Sequence, residues 1–144
     1  MKYRLFAYLC LCLLAACQNN LSDAQQRENL ENRVMQVHDA AMAEMDQLFI
    51  LRQDLKQVRD TLQHRQTDTA AQRVLEQHLG LLQKADEAMM QWMHQYKSPE
   101  EKQPHEAAMH YLQDQLQRME QVKKQMDSTL AAAQSIHKQH VPNK

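Results

Sequence analysis

Glycine and proline are scarce in this sequence, and their scarcity excludes several folds. Among 144 residues there is one glycine, Gly80, and there are three prolines, at 99, 104 and 142. Tight β-hairpin turns and phosphate-binding loops both depend on glycine at fixed positions. Alanine, leucine, glutamine, glutamate, lysine and methionine are frequent instead, and all of them favour helices. The composition therefore predicts an all-α protein.

Cysteine is also rare, and two of the three cysteines lie in an apolar run near the start. Lys2 and Arg4 precede this run, which extends from Leu5 to Ala16. A run of about a dozen residues is too short to span a bilayer but fits the core of a signal peptide. Residues 1–16 are therefore predicted to be removed. The remaining cysteine alone cannot form a disulfide or a cysteine-based metal site within a monomer.

The apolar run ends in Leu14-Ala15-Ala16-Cys17, which resembles the lipobox of bacterial lipoproteins. The resemblance covers the signal segment and implies a diacylglyceryl thioether on Cys17, cleavage before it, and acylation of the new amine. Several acyl chains would anchor the protein firmly to a membrane, because each buried methylene contributes ~0.8 kcal/mol. Gln18 after the anchor implies the outer membrane, facing the periplasm, if the cell is Gram-negative. The alternative is an ordinary secretory signal that ends in a chance cysteine.

Charge of one sign does not dominate the rest of the chain. Without Lys2 and Arg4, 15 of the 17 basic residues remain against 18 acidic residues. The mature chain has no basic run, so the sequence predicts no nucleic-acid partner.

The first predicted helix is long and amphipathic. Ser22-Asp23-Ala24-Gln25 has the pattern of a capping box, in which Ser22 caps the helix and Gln25 reaches back. Apolar residues then recur every three or four positions as far as Leu62. Because no glycine or proline interrupts them, one continuous helix is predicted over residues 22–64.

Two further helices are predicted after a polar turn at 64–68. Thr69-Ala70-Ala71-Gln72 indicates a second capping box, which would begin a helix over 69–97. A turn over 98–103 and a third helix over 104–137 follow, because proline is disfavoured inside a helix and tolerated at its start.

The predicted architecture is an antiparallel up-down-up three-helix bundle over residues 22–138, since short connections favour antiparallel neighbours. Residues 17–21 would form the lipidated tether, and residues 139–144 a disordered tail. A long coiled coil assembled between chains is the alternative, because sustained heptads with glutamine-rich flanks allow it.

Methionine is abundant, with nine besides Met1. When the predicted helices are folded about their turns, most of the methionines meet near two histidines at one end of the bundle, nearest the predicted anchor. This methionine layer comprises Met35, His38, Met42, Met45, Met89, Met90, Met93, His94 and Met109.

Thioether sulfur and imidazole nitrogen are soft ligands that suit copper(I), and an indole face can contact a bound cation. The layer therefore indicates a copper(I) site, with these candidate ligands: His38, Met42, Met45, Met89, Met93 and His94. Haem held by one methionine and one histidine is a further alternative, since helical bundles host it. The competing interpretation is core packing, because methionine is flexible and packs well against aromatic rings such as Trp92 and Tyr96.

Catalytic motifs are not recognisable in the sequence. His38 and Asp39 could supply a base and its orienting carboxylate, but adjacent helix positions point about 100° apart and are not expected to cooperate. The chain has no glycine-rich loop, no serine in a nucleophile elbow and no paired Glu-x-x-His motifs of a di-iron bundle. The sequence therefore predicts that the protein is not an enzyme.

Methionine, histidine and aromatic residues recur in three stretches: His38-Asp39-x-x-Met42-x-x-Met45, Met89-Met90-x-Trp92-Met93-x-x-Tyr96 and Tyr111-Leu112. These stretches resemble a group of small helical lipoproteins of Bacteroidota, and the likeness spans most of the mature chain. Members sometimes carry the name "viral A-type inclusion protein", which reflects generic coiled-coil similarity. The resemblance implies a helical fold and an envelope address, and it implies no catalytic residue.

The function predicted from the sequence is that of a membrane-anchored envelope lipoprotein. Its non-catalytic helical bundle would act as a structural or protein-interaction module. The expected partners are the membrane, through lipid on Cys17, and a protein partner or a second copy of the chain. A copper(I)- or haem-binding envelope protein is the alternative.

Overall fold

The computed structural model describes residues 21–140. This part of the chain is all-helical, which confirms the predicted α class, and it contains four helices: α1 (Asp23–Met42), α2 (Met45–His64), α3 (Thr69–Gln95) and α4 (His105–His140). The predicted signal peptide, Cys17 and residues 141–144 lie outside the described residues. None of the helices described combines the length and apolarity needed to cross a bilayer.

A capping box begins α1, as the sequence predicts. The Ser22 backbone N–H donates to Gln25 Oε1 at 2.9 Å, and the Gln25 backbone N–H donates to Ser22 Oγ at 3.3 Å. Two backbone donors at the start of the helix are thereby satisfied by side chains. This prediction is confirmed.

The single helix predicted over 22–64 is wrong, because the structure divides it at Ala43 and Glu44. Both residues keep right-handed helical angles, but the Glu44 N–H donates to the Ala41 carbonyl at 3.0 Å, which tightens the turn locally. At the same place Glu44 Oε1 accepts a hydrogen bond from Lys123 Nζ of α4 at 2.9 Å. This contact between distant parts of the chain lies at the break.

The capping box predicted at residues 69–72 is also wrong. Asp68 is the cap of α3, and its Oδ1 accepts a hydrogen bond from the Ala71 N–H at 2.9 Å. Asp68 has φ of 47°, and aspartate is among the few residues that adopt this left-handed conformation at low cost. The Gln72 side chain donates instead to the Thr67 carbonyl at 2.8 Å.

The helix predicted over residues 69–97 is α3 in the structure, and it ends at Gln95 rather than at residue 97. Tyr96 is already extended, with ψ of 135°, and the Lys97 N–H donates to Tyr111 Oη at 3.1 Å. Pro99 disfavours a helical conformation for Ser98, so the chain cannot resume the helix there.

The disordered tail predicted from residue 139 is wrong for its first two residues, because α4 continues to His140. His137 Nε2 lies 3.5 Å from Asp54 Oδ2 of α2, and both His137 and His140 line a surface groove with Leu62. The end of α4 is therefore supported by α2, which opposes fraying.

The buried apolar residues of all four helices form one core. α1 and α2, which are separated by two residues, form one arm that packs together with α3 and α4. The largest fully buried side chains are Val34, Leu48, Leu55, Leu75, Leu82, Met89, Leu112, Met119 and Met126. Burial of each such side chain contributes about 1.5–3 kcal/mol, so the core is the main source of stability.

Charged and polar side chains link the helices at defined levels. Between α2 and α3 the pairs are Arg52–Asp86 at 3.3 Å and Arg59–Glu76 at 3.2 Å. Between α4 and the arm formed by α1 and α2, the pairs are Asp23–His105 at 3.8 Å, Glu44–Lys123 at 2.9 Å and Asp54–His137 at 3.5 Å.

Candidate functional site

Four aromatic side chains form a continuous column at the end of the bundle that carries the α3–α4 loop. The ring centroids of His38 and Trp92 are 5.5 Å apart, those of Trp92 and Tyr96 are 4.8 Å apart, and those of Tyr96 and Tyr111 are 6.4 Å apart. We call these four residues the aromatic column. It connects α1, α3 and α4 through side chains alone.

Helix periodicity explains how α3 supplies the middle of the column. Trp92 and Tyr96 are four residues apart, so their side chains lie on the same face. The Tyr96 N–H still donates to the Trp92 carbonyl at 2.9 Å, which keeps the two rings stacked although Tyr96 is past the helix end. Each stacked aromatic pair contributes about 0.5–1.5 kcal/mol beyond its buried area.

Tyr96 is fixed to α1 by a hydrogen bond. Its Oη donates to Glu31 Oε1 at 3.0 Å. Burial raises the pKa of Tyr96 to about 12, and the adjacent Glu31 carboxylate acts in the same direction. The phenol is therefore protonated at neutral pH and serves as a donor.

His38 and Asp39 form a pair, contrary to the prediction that these neighbours would not cooperate. His38 Nδ1 lies 2.9 Å from Asp39 Oδ1. The two Cβ atoms diverge, but the side chains are long enough to turn towards each other. Because an ionised carboxylate can only accept, Nδ1 is the donor and the lone pair of a neutral imidazole is on Nε2. Asp39 thus fixes the orientation of the His38 ring.

Trp92 is the most buried member of the column, with 6% of its surface exposed. Its Nε1 is buried and has no hydrogen-bond partner within the described residues. A buried donor without an acceptor costs about 1–3 kcal/mol. The indole is therefore held in place by stacking and apolar packing rather than by a polar contact.

The predicted methionine layer is spread over several environments. Met89 is fully buried in the core, while Met45 and Met93 are partly buried against it. Met42 and Met90 are 40% and 41% exposed.

Trp92, rather than His94, is the α3 residue that contacts His38, and His94 is exposed. The other candidate ligands differ in depth, from the fully buried Met89 to Met42, which is 40% exposed. Their role as ligands stays a prediction.

Haem stays a prediction. Met89 and Leu112 are fully buried, Trp92 is nearly so, and all three belong to the one core of the bundle. A porphyrin would have to displace them. Within residues 21–140, no group of three or more histidine, cysteine, aspartate or glutamate side chains is placed to share a metal ion.

A second feature was not found by the sequence analysis. Phe49 and Ile50 are adjacent on α2 and are 53% and 58% exposed. The Arg52 guanidinium lies over the Phe49 ring, with its carbon 5.9 Å from the centroid. Phe49 and Ile50 lie between the buried positions Leu48 and Leu51 and do not follow their three- and four-residue spacing. That departure from the spacing was the sequence signal that could have predicted their exposure. We call Phe49 and Ile50 the α2 apolar pair.

Comparison of the chain with protein-family models, curated proteins and solved structures gives no match. The resemblance to bacterial lipoproteins, and to the helical lipoproteins of Bacteroidota, therefore stays a prediction from the sequence.

Proposed function

We propose that the protein is a lipid-anchored lipoprotein of the bacterial envelope whose non-catalytic helical bundle binds a protein partner. The exposed α2 apolar pair carries the interaction part of this proposal. The lipobox-like sequence that ends at Cys17 carries the anchoring part.

The bundle is proposed to be antiparallel, running up, down and up. Contacts between the α1–α2 arm and α3 support this direction, because residue numbers fall along α3 as they rise along the arm. The contacts are Glu31 with Tyr96, His38 with Trp92, Arg52 with Asp86 and Arg59 with Glu76. In the contacts of the arm with α4, the residue numbers of both partners rise together, from Asp23 with His105 to Asp54 with His137. α4 would therefore run parallel to the first arm.

One end of this bundle would face the membrane. The lipid on Cys17 would lie a few residues before α1, and the α3–α4 loop is at the same end. Arg27 of α1 fixes that loop, because its guanidinium donates to the carbonyls of Glu100, Glu101 and Gln103 at 2.8, 3.5 and 3.3 Å. The α2 apolar pair would then stand away from the membrane, where a partner can reach it.

The α2 apolar pair has the chemistry of an interface centre. Transfer of a phenylalanine or isoleucine side chain from water to a buried site contributes about 1.5–3 kcal/mol. Arginine and aromatic residues are enriched at interfaces, and Arg52 lies beside Phe49. Arg52 is also paired with Asp86 of α3, with 3.3 Å between Nη1 and Oδ2.

Site-specific photo-crosslinking in intact cells tests the interaction. A photoreactive residue replaces Phe49, and a matched control replaces Gln121, which is exposed on α4. We expect one adduct of defined mass at position 49 and none at 121. Overexpressed native protein should compete the adduct away, whereas the double variant Phe49→Ser/Ile50→Ser should not. Equal adducts at both positions, or competition by the double variant, would contradict the proposal.

Metabolic labelling with a fatty acid tests the anchor separately. We expect label on the native protein and on Cys10→Ala, since Cys10 would leave with the signal peptide. Cys17→Ala should lose both the label and membrane retention. Label or membrane retention that persists in a normally processed Cys17→Ala protein would contradict the anchor without bearing on the α2 apolar pair.

A further inference from the structure

Residues with soft donor atoms lie on α1 and α3 close in sequence to the His38 and Trp92 members of the aromatic column. His38 and Met42 are four residues apart on α1, so their side chains share one face. Trp92 contacts the His38 ring, and Met93 follows Trp92 on α3. One imidazole and two thioether side chains are therefore carried within about one helical turn of the His38–Trp92 contact.

Asp39 prepares the imidazole for a metal ion. Its carboxylate accepts from His38 Nδ1 at 2.9 Å, which leaves Nε2 with the lone pair. Histidine ligands usually donate their other ring N–H to a carboxylate or carbonyl in this way, which fixes the ring and raises its basicity.

The methionines differ in burial, and this difference separates the candidate ligands from the methionines that pack the core. Met42 is 40% exposed and is absent from the core, so packing does not explain its position. Met93 is partly buried against the core, and the His38 side chain is 16% exposed. The three donors therefore range from exposed to partly buried. Met89 is fully buried in the core, and we assign it to packing.

Trp92 supplies an apolar aromatic wall to the same place. The ring lies against His38 and has no competing polar contact at Nε1 within the described residues. An indole face attracts a cation near it, most strongly where water is excluded.

We propose that the protein binds one copper(I) ion through His38 Nε2 and the sulfur atoms of Met42 and Met93, beside the indole of Trp92. Thioether and imidazole ligands favour copper(I) over hard cations such as magnesium and calcium. Asp39 is the positioning residue of the site. The site requires neither the lipid anchor nor the α2 apolar pair, and it goes beyond the proposed function.

Copper(I) titration of the full chain purified in detergent tests the site. The ion is kept reduced with ascorbate, bicinchoninate is the competing chelator, and Trp92, the single tryptophan, reports binding by fluorescence. We expect one ion per chain, with quenching of Trp92. Met42→Leu and Met93→Leu should each lose the competition with bicinchoninate, because leucine keeps the volume and removes the sulfur.

Matched variants separate ligands from packing. Met126→Leu makes the same change at a fully buried methionine of α4 and should bind like the native protein. Asp39→Asn should weaken binding about 10- to 100-fold, the usual cost of losing such a partner, whereas Asp46→Asn on exposed α2 surface should not. Circular dichroism shows whether each variant is folded.

Several outcomes would overturn the proposal. They are failure of the native protein to compete with bicinchoninate, unchanged binding in Met42→Leu, and equally tight binding of zinc(II). Because Met42 is outside the core, its variant remains informative even if Met93→Leu unfolds the protein.

Discussion

Tyr96 and Glu31 join α3 to α1 by a hydrogen bond in which the phenol donates to the carboxylate over 3.0 Å. The bond closes the end of the bundle where α3 stops and the chain turns towards α4. Because the phenol is half-buried, it remains protonated well above the pH at which an exposed tyrosine ionises.

The Tyr96 bond predicts a loss of stability at high pH. Burial and Glu31 raise the pKa of Tyr96 to about 12 in the folded protein, above its value in the unfolded chain. The unfolded chain therefore releases this proton first, so the stabilisation is complete below about pH 10. It should fall as the pH rises towards 12.

Urea unfolding from pH 8 to 12 measures this effect. Tyr96→Phe should be less stable than the native protein at pH 8 by about 1–2 kcal/mol, the value of a partly exposed hydrogen bond to a charged group. The difference between the two proteins should shrink above pH 10. Tyr111→Phe, which removes a hydroxyl that accepts a backbone bond from Lys97, serves as the control. A difference that stays constant from pH 8 to 12 would contradict the assignment.

Met89 and Met90 are neighbours in sequence and predict opposite responses to truncation. Met89 is fully buried, so Met89→Ala should leave a cavity and cost about 2–5 kcal/mol, whereas Met89→Leu should cost less than about 1.5 kcal/mol. Met90 is 41% exposed, and Met90→Ala should change stability by about 0.5 kcal/mol or less. Thermal and urea unfolding of the three variants measure these values. Equal losses of stability in the two alanine variants would contradict the difference in burial between Met89 and Met90.

Local chemistry made parts of this fold predictable. The capping box of Ser22 and Gln25 needs only residues three apart, and the structure contains it. The same kind of pattern at Thr69 failed because the preceding aspartate can adopt a left-handed backbone, which places the cap one residue earlier. A capping motif identifies a helix start to within a residue or so, and the turn conformation then decides the cap.

Long-range contacts explain what the sequence pattern missed. The break after Met42 has no glycine or proline, and it coincides with a bond from Glu44 to Lys123, 79 residues away. No local spacing reports such a contact. The pairing of His38 with Asp39 was missed for a different reason, because helix geometry fixes Cβ directions and leaves the rotamers free.

Asp68 predicts a measurable cap effect that distinguishes it from Thr69. Asp68→Ala should lose the bond to the Ala71 N–H and also strain the left-handed backbone, at a cost of about 1–3 kcal/mol in total. Asp68→Asn keeps both the acceptor and the tolerance for positive φ, and should cost little. Thr69→Ala should be close to neutral, since Thr69 lies inside the helix. Urea unfolding compares the three variants, and a larger loss for Thr69→Ala than for Asp68→Ala would restore the capping box at 69.

Lys123 predicts a salt- and pH-dependent contribution at the junction of α1 and α2. Its ammonium contacts Asp127 within α4 and Glu44 across the bundle, and these bonds raise the pKa of Lys123. The bond from Lys123 lowers the pKa of Asp127, so this part of the stability is present above the ordinary aspartate pKa and is lost in acid.

Lys123→Met keeps an apolar chain of similar length and removes the charge. Because all three partners are partly exposed, the loss should be only about 0.5–1 kcal/mol at low salt and should shrink in 1 M salt. Lys124→Met, one position along on exposed surface, is the matched control and should be neutral. Amide exchange at Ala43 and Glu44 should also rise in Lys123→Met, because the tightened turn there would lose its anchor on α4. Unchanged exchange with a loss of stability would mean that the pair stabilises α4 and that the break between α1 and α2 has another cause.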